Sequence, residues 1–329
     1  MEKIILNKTE YCILDLYDLS VTIPDSFVVN NNKTCRGHGE AKLYMGSKDV
    51  MRNFYVDDNS INSFKVKGLI LKSDLIKYMN IIQHEYQHPS CSYRGIDNKK
   101  NMLHLWEKRY EMIKNIKEEE IYFEIQEKSN IIGNRGYVKG SAIDKKKENG
   151  YSLIREISLP FVSYISVMKL QNIENNSILF YWKLFADFSQ MAELQYQAKN
   201  YGKKKNTRNN RVRSGQLQYK QALYAQYKKC PFTKIDDERL LIASHIKPWA
   251  VCNNNEKYDS ENGIILSPLF DKLFDRGFIS FDDNGDIIIS NWLSKENKER
   301  IDFGYNVDDL LLTDNRKKYL AYHRDYVLK

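Results

Sequence analysis

The sequence predicts an α+β protein in two parts: an N-terminal mixed α/β region containing an antiparallel sheet, and a separate C-terminal domain. Three observations lead there. First, 329 residues with 42% hydrophobic and 29% charged content, 6 Pro and 15 Gly describe a folded chain rather than a disordered, collagen-like or membrane-spanning one. At roughly 150 residues per domain, that length fits two domains or three. Second, β-like runs separated by turn segments crowd the stretch after residue 120. Third, the charge pattern changes abruptly after Glu193.

No apolar run approaches a bilayer span. The opening MEKIILNKTEYCILDLYDLS carries acids among its apolar residues, unlike a secretory leader. Cys12, Cys35, Cys91, Cys230 and Cys252 are odd in number and scattered, with no CxxC pair. The expectation is a cytoplasmic protein with free thiols.

Residues 1–190 read as one region with a subdomain boundary near 120. VTIPDSFVV and SFKVKGLILK read as short strands. SDLIKYMNIIQHEY reads as a helix capped by Ser73, with Leu75, Ile76, Met79 and Ile82 on one side. MLHLWEKRYEMIKNI is a second helix. IYFEIQE, RGYVKGSAI, YSLIREISL, VSYISVMKL and SILFYWKLF then suggest a small antiparallel sheet.

Between Glu193 and Asp236 there is no acidic residue, while eleven are basic. The centre, YGKKKNTRNNRVRSGQ, is polar and helix-poor, so residues 191–214 read as an exposed connector. Lys203, Lys204, Lys205, Arg208, Arg211 and Arg213 make it a candidate strip for backbone phosphates. A helix from about Gly215 to Lys229 follows, with Leu217, Ala222, Leu223 and Tyr227 as its expected buried face.

In the C-terminal third, LLIAS reads as a strand that delivers His245 and NGIILS as a second strand. SPLFDKLFD begins a helix with Ser267 as N-cap and Pro268 at the first position. Asp271 and Asp275, four apart, share one face of it. FISFDDNGDIIIS is a hairpin around Asn-Gly. These parts suit a hard divalent cation bound by oxygen ligands beside an imidazole able to take a proton from water. Phosphodiester hydrolysis needs that combination.

RSGQ from Arg213, CPFT from Cys230, ASHIKPW from Ala243, ENGIILSPLFDKLFDRGFISF from Glu261 and KKYLAYHRDYV from Lys317 follow one another in this order. Together they resemble the HNH nuclease domain over residues 211–329. The resemblance implies a ββα-metal fold for an HNH domain at 215–329 and metal-dependent cleavage of DNA. It implies that His245 is the general base, Asn262 the asparagine orienting the motif, and Asp271 a metal ligand with Asp275 as a second candidate. Ser244 stands where many members carry a metal-binding Asp or His. Arg276 is a candidate phosphate clamp, Lys247 a candidate DNA contact, and Pro248 and Trp249 shape the turn after His245. His323 is expected to pack or hydrogen-bond.

The implied cofactor is Mg²⁺, with Mn²⁺ or Ni²⁺ as substitutes, and the unpaired Cys230 and Cys252 argue against a structural zinc. The implied function is a sequence- or modification-specific restriction endonuclease acting on double-stranded DNA and leaving 5′-phosphate and 3′-hydroxyl ends. A homodimer would suit double-strand cleavage, and a cognate methyltransferase is a candidate partner. Residues 1–190 would then recognise the DNA, with TCRGHGE around Cys35 and HPSCSYRG around Cys91 as base-reading loops or ordinary turns. Two alternatives stand beside this. One is an HNH effector of an antiphage defence system whose N-terminal region senses an activating ligand or partner. The other is a catalytically idle DNA-binding protein, against which His245, Asn262 and Asp271 together argue.

Overall fold

The computed structural model describes residues 2–17, 21–29, 41–56, 63–93, 101–128, 133–144, 149–200, 208–304 and 310–329, without the side chains of 198–200 and 208–215. The chain divides into two compact units, Met1–Leu194 and Gln195–Lys329.

The first unit is built on a nine-stranded sheet. Its strands are β1 (Lys3–Leu6), β2 (Thr9–Leu16), β3 (Val21–Thr22), β4 (Leu43–Ser47), β5 (Lys65–Leu71), β6 (Glu120–Glu127), β7 (Arg135–Ser141), β8 (Ser163–Asn172) and β9 (Ile178–Ala186). Eight of them run in the order β1-β2-β8-β9-β5-β6-β7-β4, with β3 beside β8. Every described pairing is antiparallel except β5 with β9. The helices are α1 (Lys48–Tyr55), α2 (Lys72–Gln87), α3 (Leu103–Lys114), α4 (Gly150–Ile157) and α5 (Phe188–Asn200).

Several expectations need correction. The sheet is larger than the small antiparallel one expected, and it takes in strands on both sides of residue 120, because β5 pairs along its whole length with β6. VTIPDSFVV contributes only a two-residue strand. YSLIREISL is helical: Asn149 caps Tyr151 N–H, and Tyr151, Leu153, Ile154 and Ile157 turn one face inward. That apolar face outweighs the β propensity of its Tyr and Ile residues. Helix α2 starts at Lys72, one residue ahead of Ser73, so Ser73 is not its cap, and its Oγ bonds Glu119 instead.

The second unit contains α6 (Arg208–Gln226), β10 (Ile242–His245), β11 (Gly263–Leu266), α7 (Pro268–Asp275), β12 (Ile279–Phe281), β13 (Ile287–Ile289), α8 (Lys295–Arg300) and α9 (Asp314–Tyr326). Strands β10 and β11 form one antiparallel pair, β12 and β13 another. The expected connector is partly helical, since α5 runs to Asn200 and α6 begins at Arg208. The buried side is Tyr219 and Leu223 of α6 with Tyr227 just past its end, while Leu217 and Ala222 are exposed. Those three lie four apart, as one stripe of a helix requires.

Helix α7 begins with Ser267 in the cap position and Pro268 in its first turn. Phe270, Leu273 and Phe274 pack inward, with Phe270 stacked on Phe232 at 4.0 Å. Burial of each such side chain contributes about 1.5–3 kcal/mol. The helix ends at Gly277 (φ 67°), where Gly277 N–H bonds Phe274 O and Phe278 N–H bonds Leu273 O. This double bond pattern needs a left-handed residue. A Cβ there would also lie 2.0 Å from Val327 O.

Candidate active site

The site is assembled on the β10–β11 pair and α7. Ala243 opposes Ile265, Ser244 opposes Ile264 and His245 opposes Gly263. Consecutive strand residues point to opposite faces, so Ser244 and His245 meet different surroundings.

His245 lies flat against Tyr219, with ring centroids 4.4 Å apart and planes 12° from parallel. Its Nε2 is 3.0 Å from the carbonyl oxygen of Lys257. A carbonyl only accepts, so the neutral ring carries its proton on Nε2 and keeps the basic lone pair on Nδ1. Burial lowers the imidazole pKa below its usual value, and the Lys257 charge adds to this. Near neutral pH His245 is therefore an uncharged base.

The segment that carries Lys257 is fixed by Asn262, which is fully buried. Asn262 Oδ1 accepts from Lys247 N–H at 2.7 Å, and Nδ2 faces Glu256 O at 3.1 Å, Cys252 Sγ at 3.2 Å and Lys247 O at 3.4 Å. Its polar atoms are thus taken up by both ends of the loop, an orienting role. The Nζ of Lys247, the candidate DNA contact, sits between the two carboxylate oxygens of Glu256 at 2.7 and 2.8 Å. That ion pair closes the same loop.

On the other face, Asp271 and Asp275 sit one turn apart on α7. Loss of water raises the Asp271 carboxyl pKa, while Ser244 and Lys272 oppose the rise. Asp275 is pushed up to about 7, first by loss of water and then by the charge of Asp271. The Asp275 residue as a whole is nevertheless exposed. Solvent at its exposed side screens part of this rise. Ser244 is 3% exposed, and its Oγ has no hydrogen bond of good geometry. It still lies near enough to both carboxyl groups to favour their charged forms.

Two crowded carboxylates and an orphaned hydroxyl form an all-oxygen donor set, which fits a hard divalent cation. Among the described residues no three His, Cys, Asp or Glu side chains group together to hold a metal. The donors here are two carboxylates and one serine.

Arg276 is half-buried beside Asp275 and favours its charged form. Arg208, Arg211 and Arg213 lie on the first turns of α6, while Lys203, Lys204 and Lys205 fall outside the described residues, as does the TCRGHGE segment. The end of HPSCSYRG, from Arg94, does too. His323 is buried, with Nδ1 3.0 Å from Ser280 Oγ and Nε2 3.1 Å from Phe274 O.

Sequence reasoning missed three contributors. The Lys257 carbonyl has no side-chain signature. Arg316, fully buried, donates to Gly263 O, Leu311 O, Ser260 O and Gln226 Oε1 at 2.6–3.2 Å, and so ties α9 and α6 to the turn that presents Asn262. Tyr219 was legible in principle, being four residues before Leu223 and eight before Tyr227.

Residues 230–282 match the family model of the HNH endonuclease. The matched segment holds His245, Asn262, Asp271, Asp275 and Arg276, and excludes Tyr219 and Arg316. It covers well under half of the chain, so it describes this segment and not the whole protein. The match supports a nuclease, and with it DNA as substrate and a divalent metal as the usual cofactor of such nucleases. No curated protein matches the chain. Among the described residues, no helix is long and apolar enough to cross a membrane.

Proposed function

We propose that this protein is a restriction-type DNA endonuclease, specific for a sequence or a base modification, whose chemistry is centred on His245. One observation carries the reading. At the Ser244–His245 step, a neutral imidazole with its lone pair on Nδ1 is borne by the residue next to Ser244, which lies close to the Asp271 and Asp275 carboxyl groups.

In this reading Asp271 and Asp275, with Ser244, would hold one Mg²⁺ or Mn²⁺. When bound, such a cation supplies positive charge to the scissile phosphate and the leaving oxygen. His245 Nδ1 takes a proton from water, and the resulting hydroxide attacks phosphorus. The P–O3′ bond breaks, which leaves a 5′-phosphate and a 3′-hydroxyl. The Lys257 carbonyl stabilises the imidazolium that forms, because the bonded N–H becomes more acidic. Asn262 keeps that carbonyl in place. Arg276 is the candidate to meet the phosphate, and Arg208, Arg211 and Arg213 are candidates for backbone phosphates. The Met1–Leu194 unit recognises the target. One such centre cuts one strand, so a double-strand break takes two subunits or two visits.

The test is incubation of unmodified, cytosine-methylated and adenine-methylated plasmids with the full chain and Mg²⁺ or Mn²⁺, with fragment ends mapped by sequencing. Discrete cuts with 5′-phosphate and 3′-hydroxyl ends are expected on at least one DNA. Intact DNA of all three kinds, from a folded protein with either metal, would overturn the reading.

A further inference from the structure

We infer that Tyr219 is a positioning residue for His245, reaching the active centre from a helix outside the segment that matches the HNH family. The inference rests on the proposed role of His245 as general base.

Three observations place it there. The near-parallel stack at 4.4 Å sets the Tyr219 ring against one face of the imidazole. The Tyr219 hydroxyl lies 3.2 Å from Ser244 O and 3.1 Å from Asn262 O. Its single hydrogen is thus shared between the carbonyl that precedes His245 and the one that precedes Gly263. Finally, a Cβ on Gly263 would come within 2.3 Å of the Tyr219 hydroxyl oxygen and 2.9 Å of Leu223. Gly263 is the strand partner of His245. Only a residue without a side chain leaves the space that the phenol fills.

Together these contacts explain how the imidazole is fixed. The Lys257 carbonyl holds one edge of the ring, at Nε2, but a single hydrogen bond still allows the plane to tilt about it. The Tyr219 ring removes that freedom by occupying the face. Its hydroxyl also locks the strand ends from which the His245 side chain departs. The direction of the Nδ1 lone pair is therefore set by two perpendicular restraints. A small misplacement of a catalytic group can cost about 10²-fold in rate.

A packing role alone makes a different prediction. Tyr219 belongs to the buried cluster with Leu223 and Tyr227, and any apolar side chain of similar volume would satisfy that. The full-length chain is compared with Tyr219→Phe and Tyr219→Leu by two readouts. In proton NMR, the His245 ring resonances, assigned by their loss in His245→Gln, should be shifted upfield by the tyrosine ring. That shift is expected to persist in Tyr219→Phe and to vanish in Tyr219→Leu. In plasmid cleavage with Mg²⁺, Tyr219→Leu is expected to lower kcat by about 10²-fold with KM unchanged within about twofold, and Tyr219→Phe to restore most of the rate.

Wild-type kcat in Tyr219→Leu, or His245 resonances that do not move, would overturn the inference. Should Tyr219→Leu fail to fold, Tyr219→Met refills the volume without a ring and serves in its place. If the wild-type protein cuts no DNA, the nuclease reading falls, and the NMR comparison still decides whether Tyr219 braces His245.

Discussion

The imidazole of His245 is anchored at 3.0 Å to the backbone carbonyl of Lys257, twelve residues further along the chain. That bond makes the proposed role of His245 as a base depend on a loop rather than on a second side chain. The loop is closed by Asn262 and by the Lys247–Glu256 pair. Lys247→Met should therefore lower kcat more than DNA affinity, whereas a phosphate contact would show chiefly as weaker, less salt-dependent binding. Cleavage kinetics and filter binding at two salt concentrations separate the two outcomes.

Asp275 and Asp271 put a stability cost on the metal-free protein. The folded-state pKa of Asp275 is raised, to about 7, above an unfolded value of about 3.9. The folded state then binds more protons between those values, and stability falls as pH rises through that window. At pH 8 without divalent metal, Asp275→Asn should raise Tm. Mg²⁺ or Mn²⁺ should raise the wild-type Tm and leave Asp271→Asn/Asp275→Asn unchanged. Thermal melts with and without EDTA check both statements. A metal-induced rise that survives in the double variant would place the cation elsewhere.

His323 has the opposite sign. Burial holds its pKa down to about 3, against about 6.5 when unfolded. Its contribution is intact above the unfolded value and is lost as pH falls from there toward 3. The loss approaches about 1.4 kcal/mol per pH unit. Urea unfolding at pH 7 and pH 4.5 should show a smaller drop for His323→Gln than for the wild type. Equal drops would mean that His323 takes no part in the acid sensitivity.

Much of the second unit was legible because its signals are local. Pro268 after Ser267, the inward spacing of Phe270, Leu273 and Phe274, and the four-residue interval between Asp271 and Asp275 each act within one or two turns. The contacts that complete the site are not local. Lys257 offers a carbonyl, which every residue has, and Arg316 reaches strand and turn from 50 or more residues away. The first unit misled for a related reason. The alternation in YSLIREISL fits a strand, yet capping by Asn149 and packing against Ile70 and Phe123, which crowd Gly150, decide for a helix. The β5–β9 pairing joins segments more than 100 residues apart, and no pattern within either strand encodes its partner.

Arg316 gives a test of that non-local scaffold. Its guanidinium is fully buried and serves four acceptors. Arg316→Met takes its donors away from all four, and a loss of about 2–4 kcal/mol in urea unfolding of the full chain is expected. A change below about 0.5 kcal/mol, the usual size for an uninvolved surface site, would show that water replaces the guanidinium without consequence.

Whether His245 supplies the base for phosphodiester cleavage is decided by comparing wild-type and His245→Ala protein on a DNA that the wild type cuts. With Mg²⁺ saturating and DNA binding measured in parallel, the variant should bind DNA with unchanged affinity and cleave it about 10²–10⁴-fold more slowly. Cleavage by His245→Ala at the wild-type rate would rule His245 out as the base and move the chemistry to another residue.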